Sequence, residues 1–180
     1  MSMKDLKKYL KYYSQEDYIF GEISRNYKKR GYLTPEEFFM VVIWKSNRTK
    51  TKVRKEILDS GKTIRTITSN VARAKTPAQK LSILTSIFGI GIPVASAILA
   101  VCYPDDFTVA DYRVRESLRK LGENIADPTS TTRAYLAYVD LCKKLAGQTS
   151  LSLRDFDRSL WGRDYYEGTG GLKQLVDGLS

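Results

Sequence analysis

From Leu81 to Pro104 the chain carries no charged side chain, a run long enough to cross a bilayer as one helix. Gly89, Gly91 and Pro93 stand near its middle and favour a sharp turn over a continuous helix. The expected outcome is two short helices, from Pro77 to Ile87 and from Pro93 to Cys102, joined through Phe88-Gly89-Ile90-Gly91-Ile92. A broken membrane helix competes with this reading. A lone span, however, has no neighbouring helices to satisfy the backbone groups freed at the break.

A turn of this kind can seat a phosphate. The first turn of the second helix presents unpaired amide hydrogens with the positive end of the helix dipole behind them. Glycine lets a nucleic-acid backbone approach, and Ile90 is expected to anchor the turn in the core. Pro93 donates no hydrogen bond, so Gly91, Val94 and Ala95 are the expected amide donors. The competing reading is an ordinary interhelical turn whose glycines only permit close packing.

Composition narrows the partners. Thirty Lys and Arg against 20 Asp and Glu give a net charge of +10, which suits a polyanion but also a merely basic, soluble surface. With no histidine, acid–base chemistry falls to carboxylates, Lys, Tyr or Cys. Cys102 and Cys142 are too few for a four-thiolate cluster and read as reduced, buried, small hydrophobes, so an intracellular protein without metal or cofactor is expected. The segment Met1 to Lys8 lacks the apolar run of a secretory signal. At 180 residues, one cooperative domain is expected.

Helix punctuation is dense. Thr34-Pro35, Thr76-Pro77 and Asp127-Pro128 place a capping side chain before proline, and Glu37 and Gln79 complete capping boxes. Ser14-Gln15-Glu16-Asp17 and Ser152-Leu153-Arg154-Asp155 are weaker starts; Gly31, Gly61, Gly122 and Gly147 fall where helices end. Only Thr63 to Val71 is ambiguous between helix and strand. The chain therefore reads as all-α. Leu153, Phe156, Leu160 and Trp161 have the spacing of a packing face, the stretch from Gly168 to Ser180 is expected to be loosely held, and Gly168-Thr169-Gly170-Gly171 lacks the Lys-Ser or Lys-Thr of a nucleotide loop.

The turn Phe88-Gly89-Ile90-Gly91-Ile92-Pro93-Val94-Ala95 is followed by an apolar helix, the loop Tyr103-Pro104-Asp105-Asp106-Phe107 and then Thr108-Val109-Ala110-Asp111-Tyr112-Arg113-Val114. From Pro77 to Gly122 this order and spacing resembles the helix-hairpin-helix DNA glycosylase superfamily. There a hairpin of the Pro-Gly-Val-Gly type leads to a helix and then to a segment whose aspartate is catalytic. The resemblance implies that Asp111 is catalytic and that Gly89, Ile90, Gly91, Val94 and Ala95 form a DNA-binding hairpin. Upstream, Phe38 to Thr49 is similar to the family's apolar helix ending in a base-replacing glutamine. Asn47, with Arg48, is the candidate wedge there, against the alternative of a plain polar loop. Trp44, Lys45 and Tyr112 are the expected substrate-pocket residues, although Trp44 also suits a core, and Arg113 is a candidate for DNA backbone contact.

Three departures limit the transfer. Pro93 stands where bifunctional members carry a catalytic lysine, so no Schiff base can form at that position, and the implied enzyme is monofunctional. The cysteine-rich carboxyl-terminal cluster is absent, and Ala110-Asp111-Tyr112-Arg113 differs from the small and histidine side chains frequent after the aspartate. The implied function is release of a damaged or modified base from double-stranded DNA by a monomer, with Asp111 stabilising an oxocarbenium-like state or activating water. Asp111 also fits a plain helix N-cap, and a non-catalytic hairpin DNA-binding protein is the alternative. The expected architecture is a two-lobed, glycosylase-like helical domain, with one lobe from about 34 to 122 and the other from 1–33 plus 123–180.

Overall fold

A computed structural model describes residues 15–168, 172–177 and 179. The expectations for Met1 to Lys8, for a Ser14 cap and for residues 169–171 lie outside these, as does part of the Gly168–Ser180 tail. The described residues are all-helical, without strands. The first helix has three parts: α1 (Gln15–Asp17), a π-helical stretch (Tyr18–Ile23) and α2 (Ser24–Arg30). After α3 (Pro35–Ser46) comes a 3₁₀ turn (Asn47–Thr49) leading into α4 (Lys50–Asp59). Then follow α5 (Ile64–Arg73), α6 (Pro77–Thr85), α7 (Ile92–Cys102), α8 (Tyr112–Lys120), α9 (Thr132–Ala146), α10 (Leu153–Glu167) and α11 (Leu172–Val176).

Local chemistry explains most boundaries. Thr34 and Thr76 each accept a hydrogen bond from the amide three residues on, while the Glu37 and Gln79 side chains accept one from the cap residue's own amide, so both capping boxes form. Glu37 also binds Asn26 and Arg30 and so ties α2 to α3. Ser152 caps α10 through the Asp155 amide, and Gly31, Gly61 and Gly122 take the positive φ expected at helix ends. The ambiguous Thr63–Val71 stretch is helical. Thr63 caps it, and Ile64, Ile67, Thr68 and Val71 share its buried face. Asp127-Pro128 does not open a helix: Asp127 binds the Thr129 amide and hydroxyl in a local turn, and α9 starts at Thr132 behind a Thr131 cap. Gly147 ends α9 at φ −63°, with no left-handed residue.

One hydrophobic cluster takes side chains from the first helix through α10, and α7 is its centre. Every residue from Val94 to Cys102 is buried, because α2, α3 and α6 all pack on α7. The uncharged stretch is thus a core helix and its entry, and among the described residues no helix is long and apolar enough to cross a membrane. The first helix buries Tyr18, Ile19, Ile23 and Tyr27, packs on α3 and α7, and meets α10 through the ion pairs of Glu16 with Arg154 and Arg158. Helix α8 packs most extensively on α10, with Ser117 donating to the Leu160 carbonyl at 2.6 Å. The first helix thus leans on the central segment, and α8 leans on α10.

Candidate active site

The turn that closes α6 and opens α7 gives its two glycines different work. Gly89 has φ +93°, and a Cβ there would lie 3.1 Å from Lys52 Cβ and 3.1 Å from Val53 Cγ2. It is the place where the turn lies against α4. Gly91 caps α7 at φ −87°, ψ 175°, is exposed, and would bring a Cβ no closer than 3.6 Å to Pro93 Cδ. Ile87 and Ile90 are buried beneath the turn, as expected for an anchor, whereas Phe88 is 67% exposed at its tip.

The amide donors differ from those expected. Val94 and Ala95 both bond to the Gly91 carbonyl, at 3.1 and 3.0 Å, so their hydrogens are spent inside the helix. Gly91 and Ile92 take no backbone acceptor in the turn and are the amides left at the helix start.

Behind the turn, a chain of buried hydroxyls carries the α7 geometry to Asp111. Ser96 donates to the Pro93 carbonyl at 2.8 Å, and its oxygen accepts the Ala110 amide at 2.9 Å. Tyr135 donates to the Thr108 carbonyl and Tyr138 to the Val109 carbonyl, at 2.9 and 3.0 Å. Burial pushes both phenol pKa values well up, keeping them as donors. Residues Thr108 to Ala110 are thus a buried, non-helical segment whose Thr108 and Val109 carbonyls are bonded by α9 and whose Ala110 amide is bonded by α7. It ends at Asp111, the cap of α8, where Oδ1 accepts the Arg113 amide at 2.9 Å and Oδ2 accepts Lys45 Nζ at 2.8 Å.

Asp111 opens onto a cavity of about 710 Å³. Trp44 and Lys45 come from α3, Val114 from α8, Arg154, Asp157, Arg158 and Trp161 from α10, and Glu16 and Asp17 from the first helix. The volume lies in the range of small-molecule sites. Trp44 is half-buried, its ring meeting Phe20 edge-on at 5.4 Å, so it serves the cavity wall and the packing behind it together.

Other expected residues lie elsewhere. Tyr112, the first residue of α8, is outside the cavity lining and 66% exposed, with the Arg115 guanidinium 5.2 Å above its ring. Its place in the expected pocket is taken by Trp161, which the spacing had assigned to packing. Arg113 is turned onto α10, 3.1 Å from Asp164 and 5.4 Å from the Trp161 ring centroid, which engages the side chain expected to reach DNA. Asn47 and Arg48 are exposed in the 3₁₀ turn after α3, and Asn47 accepts Lys50 Nζ at 2.6 Å.

A second carboxylate in the cavity, Asp157, sits on the buried stripe of α10 and pairs with Arg154. Burial pushes its pKa up to about 6, Asp111 adds repulsion, and Arg154 and Lys45 oppose the rise. The folded state therefore holds this proton more tightly than an unfolded chain, where an aspartate ionises near pH 3.9. Ionising Asp157 costs stability as pH rises through about 4 to 6, and the cost is constant above that. Asp157→Asn removes it. Urea unfolding at about pH 4.5 and about pH 7 should show the variant gaining on the parent protein with rising pH. A flat difference would assign the buried charge elsewhere.

Among the described residues no group of three or more Cys, Asp or Glu is placed to hold a metal ion. The arrangement supplies instead a fixed carboxylate, an amine on that carboxylate, two indoles and a turn with free amides. No family model, curated protein or solved structure matches the chain.

Proposed function

We propose that this protein is a helix-hairpin-helix DNA glycosylase that hydrolyses the bond between deoxyribose and a damaged or modified base. The observation that carries this reading is the coupling of turn and carboxylate. Ser96 links the Pro93 carbonyl at the start of α7 to the Ala110 amide, the residue before Asp111, and Asp111 faces a cavity of about 710 Å³, roomy enough to admit a nucleobase. A strand gripped at the turn is thereby held in register with the carboxylate.

The turn binds one phosphate through the Gly91 and Ile92 amides. Exposed Lys52 packs beside it, and Lys50 and Arg54 lie on the same helix. Eversion of the nucleotide costs a few kcal/mol, and least at a damaged or mismatched pair. The freed base enters the cavity lined by Trp44 and Trp161, whose aromatic surface replaces part of what the duplex supplied. As the bond breaks, positive charge grows on the sugar, and Asp111 stabilises it and orients the attacking water. Its capping bond and Lys45 hold the carboxylate still.

The test is free-base release from duplexes carrying uracil or alkylated, deaminated or oxidised bases. Release from one of them supports the reading; salt-sensitive binding with no release from any would leave a DNA-binding module without the chemistry. The logarithm of the affinity is expected to fall linearly with the logarithm of the salt concentration, with a slope of roughly 0.9 per phosphate neutralised, and Lys52→Gln should flatten that slope by about one phosphate. Filter binding at several salt concentrations measures both.

A further inference from the structure

At the rim of the cavity, on the outer side of α10, two aromatic rings lie flat against each other. Trp161 and Tyr165, one helical turn apart, stack with centroids 5.5 Å apart and planes within 8°, and they are 42% and 53% exposed. The Arg113 guanidinium lies 5.4 Å from the first ring centroid and 5.8 Å from the second. Asp164, buried on α10, holds that guanidinium at 3.1 Å and Lys120 at 3.0 Å, so one carboxylate fixes two cations and leaves a positive charge beside the rings. The stack is thus ordered in advance while its rings stay open to solvent. Trp161 also lines the cavity, whereas Tyr165 stands outside it.

We propose that Trp161 and Tyr165 stack an unpaired nucleobase beside the nucleotide in the cavity, giving the protein a binding site for single-stranded DNA. The site rests on the DNA-binding half of the glycosylase reading and does not require base release. A flat ring pair next to a guanidinium attracts any planar base by stacking and cation–π contact without reading its edges. Within a paired duplex both faces of a base are covered by its neighbours, so only an unpaired base has a face to give. Position supplies the connection to the cavity. Asp111 and Arg113 stand two residues apart at the start of α8, so a strand with one nucleotide at the carboxylate carries the next one to the rings. Charge divides the surface in the same sense. On α8 and α10, Arg115, Arg158 and Arg163 are each matched by a carboxylate, whereas Lys50, Lys52 and Arg54 of α4 have no acidic partner among the described residues. The free cations that draw a duplex backbone lie on α4, and the open rings that hold a base lie on α10.

Three probes separate stacking from charge: a short single-stranded oligodeoxythymidylate, the same length of sugar–phosphate backbone carrying no bases, and a fully paired duplex. Binding of the full chain to each is followed by fluorescence anisotropy of a label on the nucleic acid. The base-bearing strand is expected to bind about tenfold or more tighter than the baseless one, which carries the same charge. Tyr165→Ala should lower affinity for the base-bearing strand by roughly 5-fold to 100-fold, the loss usual for one stacking side chain, and leave the other two probes within about twofold. Tyr165→Phe keeps the ring and should bind as the parent protein does, and circular dichroism checks that both variants fold. Equal affinity of the parent for the two single strands, no loss in Tyr165→Ala, or an equal loss on the duplex would each overturn the site. A hold on oligouridylate more than about tenfold tighter than on oligodeoxythymidylate would overturn DNA as the occupant. Base release from a damaged duplex by a parent protein that does not distinguish the two single strands would remove the stack and keep the glycosylase. Preference for the base-bearing strand, lost in Tyr165→Ala, with no base released from any duplex would remove base excision and keep the stack.

Discussion

Asp111→Asn is expected to abolish base release while leaving folding and DNA affinity nearly intact. The carboxylate Oδ1 caps α8 by accepting the Arg113 amide at 2.9 Å, and asparagine caps helices about as well as aspartate. What asparagine lacks is the negative charge. Loss of one preorganised stabiliser of transition-state charge typically costs about 10²–10³-fold in rate, so single-turnover base release should fall at least that far. The same substitution leaves Lys45 without its counter-ion, a local cost that thermal unfolding would register. A variant that binds DNA and releases base at the parent rate would remove Asp111 from the chemistry. Alanine would be a poorer test, because it deletes the cap together with the charge.

The second large effect separates the two glycines of the turn. Gly89→Ala must place a side chain at φ +93° and against Lys52 and Val53, at distances where α4 has to move. The backbone conformation alone costs roughly 1–3 kcal/mol. Overpacking adds about 1–3 kcal/mol more. In a chain of this size each kcal/mol lowers the melting temperature by about 2–4 °C, so a fall of roughly 10 °C is expected. Gly91→Ala meets neither obstacle, since its φ of −87° suits any residue and its Cβ would make only an ordinary contact at 3.6 Å. Its melting temperature should stay within about 2 °C. Its methyl would project where the phosphate approaches, and losing a hydrogen bond to a charged group lowers affinity about tenfold or more. Equal affinity of Gly91→Ala and the parent protein for duplex DNA would mean that the turn is only a turn. The contrast requires both measurements on both variants, since a destabilised Gly89→Ala can lose binding for reasons unrelated to phosphate.

Much of the framework was legible because it is local. Thr34-Pro35 with Glu37, and Thr76-Pro77 with Gln79, announce helix starts through bonds spanning three residues, and both form. Asp127-Pro128 also sets a capping side chain before proline but lacks a Glu or Gln three residues on, and it opens a turn instead, the Asp127 carboxylate accepting the Thr129 amide and hydroxyl. The break at Gly89-Ile90-Gly91 was legible for the same reason, since positive φ and proline geometry are properties of neighbouring residues.

The candidate site was legible only in part. Asp111 could be chosen from its distance behind the turn, and Trp44 and Lys45 from their place at the end of an apolar helix, and all three line the cavity. Asp157 left one signal, an acidic residue on the stripe formed by Leu153, Phe156 and Leu160. Ser96 left another, a hydroxyl in the middle of Ile92–Cys102. Trp161 lines the cavity and Tyr112 does not, because helical spacing reports which residues share a face, not which element that face meets. Val94 and Ala95 lost their expected role because α7 starts at Ile92, one residue before the expected start, which puts the Gly91 carbonyl in reach of both amides.

The sequence by itself determined the helical class, most helix starts and the break in the uncharged stretch, all of them set by sterics and hydrogen bonds within a few residues. The tertiary structure alone decided that Lys45 reaches Asp111 across 66 positions, that Arg113 turns to Asp164 across 51, and that Glu16 meets Arg158 across 142. Such pairs depend on how α3, α8 and α10 pack, and packing is set by the fit of whole helix faces around α7. No short-range pattern encodes it.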